Sequence, residues 1–220
     1  MKQTQTPRNK TLTSGNIKEL AADISHLKIR GAAAVYPEIN LNEVSAHGHG
    51  TFHSDVNANL FTCSGSCVIK GDVQIREIKN TGNLKLKGGH AEQVHSSGKL
   101  HIQQSLKTDS LDVNGSIHAK SLHTKHARIT LSGESIIDEL YAEEVSVKKN
   151  SKTFSIFKKR LRCRRVAGER LMLAYTEAEI VEGHTVEIGK QCSIGTLYYQ
   201  DGYTISPDAT VKQVIRRNAE

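Results

Sequence analysis

The chain has 220 residues, 37% hydrophobic and 5% aromatic, with no Trp and four Phe, so its core has to be aliphatic and a large aromatic-lined pocket is not expected. No apolar run approaches the roughly 20 residues of a membrane span, and the opening MKQTQTPRNK has no signal-peptide core, which leaves the cytoplasm as the expected compartment. The formal net charge is +7, but residues 148–165 hold nine Lys or Arg and no acid, so the remainder sums to −2 and the chain is not globally basic.

Residues 1–22 are polar apart from Leu12, Ile17 and Leu20 and read as a flexible N-terminal tail. Residues 23–147 carry a repeat. Glycines stand at 31, 48, 65, 82, 98, 115 and 133, spaced by 17, 17, 17, 16, 17 and 18 residues. Four positions before them lie Leu27, Val44, Phe61, Ile78, Val94, Leu111 and Ile129; four positions after lie Val35, Phe52, Ile69, Leu86, Ile102, Ala119 and Ile137. Both columns are wholly apolar. Small or apolar residues also dominate two positions to either side, Cys63 and Cys67 among them, so apolar and polar residues alternate around each glycine. Period-two alternation means strands with one buried face, whereas a helix would recur at three and four residues. A looser third column falls eight past each glycine (Ile39, Val56, Val73, His90, Leu106, His123, Tyr141), with Ala91 and Leu122 one residue away where it fails. Three short sides per 17-residue unit predict an all-β fold, a three-sided β-solenoid whose coils stack at the strand spacing. Glycine suits its corner because a Cβ there would crowd the interior or force a costly φ.

Residues 148–165 interrupt this register and admit two periods. Phe154, Phe157 and Leu161 share a helical face that, flanked by Lys158, Lys159, Arg160, Arg162, Arg164 and Arg165, suits an anionic membrane surface or a partner. Phe154 with Ile156, and Leu161 with Cys163, instead suit strands that leave the same charges on the solvated outside. Nucleic acid is not an expected partner, because no aromatic stacking platform or helix-turn-helix pattern accompanies the charge. From 166 to 215, pairs such as Leu171/Leu173, Val186/Ile188 and Cys192/Ile194 predict about three further, irregular coils, and 216–220 read as a tail.

Histidines 47, 49 and 53 form an HxHxxxH cluster that imidazole-bound zinc or nickel would suit. In the coil frame, however, His47 and His49 flank the corner glycine and His53 lies five beyond it, and His101 and His118 share an outer column, so a surface ladder is the favoured reading. Cys63 and Cys67 fall at inward positions on either side of Gly65 and read as small core residues; the four cysteines are too few and too irregular for a secreted disulfide framework and are expected to be reduced. No GxxxxGK(S/T), GxSxG or HExxH occurs, so no catalytic residue, metal site or cofactor is assigned and the protein is not expected to be an enzyme. A metal-dependent solenoid enzyme of the carbonic anhydrase type stays as an alternative, although it requires a strict six-residue period. A non-polymerising adaptor is the other.

The 17-residue coil, the short polar tails, the low aromatic content and the late stretch VEGHTVEIGKQCSIGTLYY together resemble a bactofilin, the polymer-forming cytoskeletal family of bacteria, and a member from the bacilli in particular. The resemblance implies a right-handed β-helix and nucleotide-independent, head-to-tail self-assembly. It also implies scaffold roles in cell shape, polar organisation or motility, with self, a paralogous chain or an anionic membrane surface as partners. Elementary physics points to assembly as well. Terminal coils of a solenoid expose unpaired strand edges and a cross-section of the core unless something caps them, and no helical cap is evident here. Leu27 and Ile29 at one end, and Val211, Val214 and Ile215 at the other, are the expected end contacts of a cytoplasmic or membrane-apposed polymer.

Overall fold

A computed structural model describes residues 8–151 and 158–217 and contains strands only among them. In chain order these are β1 (Arg8–Ile17), β2 (Ile24–Val35), β3 (Ile39–Ala46), β4 (His49–Phe52), β5 (Val56–Cys63), β6 (Ser66–Asn80), β7 (Asn83–Ser96), β8 (Lys99–Leu131), β9 (Ser135–Lys149), β10 (Leu161–Leu173), β11 (Thr176–Ile188), β12 (Ser193–Ile205) and β13 (Thr210–Arg216). Every pairing is parallel, and the sheet path runs in sequence order, with β4 pairing β2 and β6 beside it. Parallel neighbours in sequence order mean that the chain closes a full circuit before pairing with itself, which is a β-solenoid of about 12 turns. At roughly 4.8 Å per turn the rod is on the order of 55 Å long.

The apolar columns become stacks. Leu27, Val44, Phe61, Ile78, Val94 and Leu111 pair in succession, as do Val35, Phe52, Ile69, Leu86 and Ile102, and all are essentially inaccessible to solvent. Each regular coil contributes three inward pairs, for example Val73/Ile75, Ile78/Asn80 and Leu84/Leu86, one from each side. The buried Asn80 is satisfied locally: its amide donates to Ser96 Oγ and to the Lys99 carbonyl, and its Oδ1 accepts from the Gly82 amide. The third column holds with a shift. Gly89 rather than His90 stands opposite Val73, at φ +123°, and absorbs the residue missing from the coil between Gly82 and Gly98. Leu122 rather than His123 stands opposite Leu140.

The glycines form a ladder for a reason different from backbone conformation. A Cβ on Gly48, Gly65, Gly82, Gly98 or Gly115 would lie 2.0–2.2 Å from the carbonyl oxygen of the glycine one coil earlier. None of these five has a positive φ, so close packing and not φ selects glycine. Gly133 leaves the ladder: nothing lies within 4 Å of its Cβ position. The Ser132 amide takes the place on the Gly115 carbonyl that the residue after the glycine holds in earlier coils, because the corner there is two residues longer.

Both ends extend beyond the expected boundaries. Residues 8–17 are not tail but the first coil, since Lys10 and Leu12 pair with Leu27 and Ile29, and Ile17 is buried. Between 166 and 215 the stack continues: β10 and β11 pair without a register shift, Leu161 opposite Thr176 and Leu173 opposite Ile188, whereas β11 and β12 slip in register between Gly183 and Thr185 and β13 covers only Ser193–Tyr199. Arg216 belongs to β13 and pairs with Tyr199 instead of opening a tail. The basic interruption is confined to the corner between β9 and β10, because Lys148 and Lys149 end one strand and residues 161–165 begin the next.

Candidate functional site

Ordinary coils are sealed by their neighbours, so exposed chemistry can lie only at the two ends, at the β9–β10 corner and on the outer faces. At the N-terminal end β1 covers β2, leaving Leu27 and Ile29 at 1% and 0% exposure. They are core residues and not end contacts, because Leu12, read as tail, packs as strand against Ile29. The first coil itself is mostly polar on its described surface.

The C-terminal end is different. β13 stacks Val211 on Ile194 and Val214 on Leu197, which prolongs two buried columns by one coil. No described strand covers them. Val211 packs against the core but is only partly buried, Val214 is 38% exposed and Ile215 is half-buried. β13 pairs only with Ser193–Tyr199, so Gly202–Ile205 of β12 has a strand on one side alone among the described residues. Tyr203 and Ile205, which alternate toward this edge, are exposed large apolar side chains. Sequence reasoning passed over Tyr203 as an end residue, although its two-residue spacing from Ile205 in a final coil carries the signal.

The arginines of the basic segment are paired with carboxylates. Phe154 and Phe157 lie outside the described residues. Lys158 is exposed; Lys159 is buried and donates its Nζ to the Asn150 carbonyl at 2.9 Å. Leu161 and Cys163 point inward, so strand periodicity holds over 161–165 and sends Arg162 and Arg164 outward. There they meet acids on the adjacent coils. Arg160 pairs with Glu177, Arg162 with Glu134 and Glu177, and Arg164 with Asp138 at 3.0 Å and with Glu139. Arg165 reaches Glu182 at 2.5 Å, and Arg217 shares that carboxylate. With Arg170 on Glu144, six arginines face six carboxylates. Exposed pairs of this kind contribute about 0–1 kcal/mol each. Their larger effect is to offset the arginines' share of the field at an anionic surface, leaving that of the lysines.

The histidines do not converge. His47 Nδ1 is 2.8 Å from Ser64 Oγ, while His53 stacks on Tyr36 at 4.3 Å between ring centroids. Among the described residues no three His, Cys, Asp or Glu lie close enough to hold a metal ion. His101 and His118 are neighbours on the outer face, their rings tilted with centroids 6.2 Å apart; burial first, then Lys85 and His118, hold the His101 imidazole below its ordinary value. Outer-face features without a sequence signal are a cleft of about 280 Å3 walled by Tyr141, Tyr198 and Tyr199, and a groove of about 590 Å3 lined by His95, Asp112, His126, Arg128 and Met172. Tyr141 and Tyr198 come from coils separated by the β9–β10 corner, which no fixed period connects.

Comparison with known proteins adds one partial likeness. Over 93 residues, 42% of this chain, the sequence is 32% identical to a protein of Bacillus subtilis strain 168 described as the uncharacterized protein YhbF. The match covers 40% of that relative's length. No family model matches the chain. No solved structure matches it either.

Proposed function

We propose that the protein is a structural scaffold of the bactofilin type, a non-enzymatic protomer that joins copies of itself end to end without nucleotide. The observation carrying this reading is the C-terminal coil, where the Ile194 and Leu197 columns continue into Val211 and Val214 beside the exposed Tyr203 and Ile205. Each buried aliphatic side chain is worth about 1.5–3 kcal/mol relative to leaving it in water, so a partner coil seated here gains several such terms together with strand hydrogen bonds. Contact through an end either closes or propagates as a filament. Head-to-tail contact with the same chain, or with a paralogous one, is the arrangement the bactofilin resemblance implies. Attachment to an anionic membrane, the second part of the proposal, rests on the exposed Lys148, Lys149 and Lys158 and not on the paired arginines.

Val214→Glu tests the reading. Placed on an exposed position of the last coil, the carboxylate leaves the folded protomer intact but meets an apolar partner surface, so sedimentation is expected to shift from large species to protomer. An unchanged distribution of large species would reject the C-terminal coil as the joint. An adaptor that binds a protein along its side is the second reading, favoured by the about 590 Å3 groove and by Met172, 52% exposed on its wall. A wild-type chain that stays monomeric at high concentration would select it.

A further inference from the structure

Two thiols meet inside the corner of one coil. Cys63 closes β5 and Cys67 opens the next side, with Gly65 between them, and both side chains point into the core at 0% and 1% exposure. The preceding coil gauges this corner, because Ala46 lies opposite Cys63 and Gly50 opposite Cys67. A Cβ built on Gly50 stands 3.7 Å from the Ala46 Cβ. The two corners repeat closely: a Cβ on Gly48 would come 2.1 Å from the Gly31 carbonyl oxygen, and one on Gly65 would come 2.0 Å from that of Gly48. A disulfide needs a Cβ–Cβ separation of about 3.5–4.5 Å, with a mean near 3.8 Å. Both sulfurs are enclosed in the same corner, where Cys63 Sγ also approaches the Gly65 and Asn83 carbonyls at 3.6 and 3.7 Å.

We propose that the Gly65 corner is a redox site, in which Cys63 and Cys67 close to an intramolecular disulfide without rearrangement of the backbone, with hydrogen peroxide as the oxidant. Either thiol can attack first, and the route through Cys63 is representative. The hydrogen bond from Cys67, reinforced by the backbone, holds the Cys63 thiol below its usual value; the same bond, then burial, pushes Cys67 up. The Cys63 thiolate attacks one peroxide oxygen, the O–O bond breaks, and the departing hydroxide takes a proton to become water, leaving Cys63 as a sulfenic acid. Cys67 sulfur then attacks Cys63 sulfur, the S–O bond breaks, and the hydroxyl leaves as water with the Cys67 proton. Two thiols are oxidised and one peroxide is reduced to two waters. Peroxide is close to water in size, so a local opening of this corner gives it access. Cys163 has no cysteine opposite it: it stands between Ile137 and Ala178, and burial pushes its thiol up to about 12.

The folded full-length chain is treated with hydrogen peroxide until the exposed Met172 is oxidised, unfolded in an alkylating reagent, and analysed by mass spectrometry. Two of the four cysteines are expected to escape alkylation, with a linkage between 63 and 67 and with all four recovered after thiol reduction. In Cys67→Ser and in Cys63→Ser no linkage at this corner is expected, and the remaining thiol is expected to stop at a sulfenic acid that dimedone traps. Four alkylatable cysteines after Met172 oxidation would overturn the proposal. So would a linkage to Cys163 or Cys192, or independent sulfinic acids at 63 and 67.

Discussion

At the scale of single residues, the glycine ladder makes the most demanding statement about this fold. A methyl group on Gly82 would stand 2.0 Å from the Gly65 carbonyl oxygen, and backbone, unlike a flexible side chain, cannot turn aside. Gly82→Ala is therefore expected to lower the unfolding free energy by about 2–3 kcal/mol, in the range of overpacked cores. Gly133→Ala, with nothing within 4 Å, is expected to leave the denaturant midpoint unchanged or to raise it slightly. Equal effects at the two positions would contradict the stacking. His101 supplies a pH-dependent counterpart. Its folded pKa lies below the ordinary 6.5, so its contribution to stability is intact above that value and is lost as the pH falls through it toward the folded value. The denaturant midpoint of the wild type is expected to fall between about pH 7.5 and pH 5.5 by more than that of His101→Gln. Parallel curves would remove His101 from the account.

At the scale of elements, legibility in the sequence followed the strength of the period. Coils with a 16- or 17-residue spacing and an apolar pair on either side of a glycine could be read directly, down to the inward positions of Cys63 and Cys67. Where the spacing departs from this, the reading failed locally. The widened corner at Gly133 mimics the ladder in sequence but not in space, and the β9–β10 corner hides the fact that β10 and β11 continue the stack at a fifteen-residue offset. β1 was missed because a terminal strand buries only one edge of its coil: its sequence RNKTLTSGNI is polar enough for a tail, and Leu12 and Ile17 alone betray it. The arginines of the basic segment looked like a free patch because their acidic partners, Glu177 and Glu182 above and Asp138 and Glu139 below, become neighbours only through stacking. β1 also yields a test. Removing residues 1–22 uncovers Leu27 and Ile29, so the truncated chain is expected to bind a hydrophobic dye and to melt at a lower temperature than the full chain. Equal dye binding and melting would mean that β1 is dispensable as a cover.

At the scale of the molecule, the solenoid is a rod whose two ends are unlike. One begins on a largely polar strand; the other finishes on Tyr203, Ile205, Val211 and Val214. A quasi-one-dimensional stack gains little by lateral contact through faces already paired into ion ladders, and gains most where the core cross-section is open. The proposed joint is apolar, so assembly is expected to persist when salt screens the outer charges, whereas a polymer held by the arginine–carboxylate ladders would dissolve. The measurement that tests this most directly is negative-stain electron microscopy of the purified full-length chain, without nucleotide, at low and high salt. Filaments at both salt concentrations, with an axial repeat on the order of the 55 Å rod, are the expected result. A monodisperse protomer at high protein concentration, or assemblies that vanish as salt is raised, would contradict end-to-end joining through the C-terminal coil.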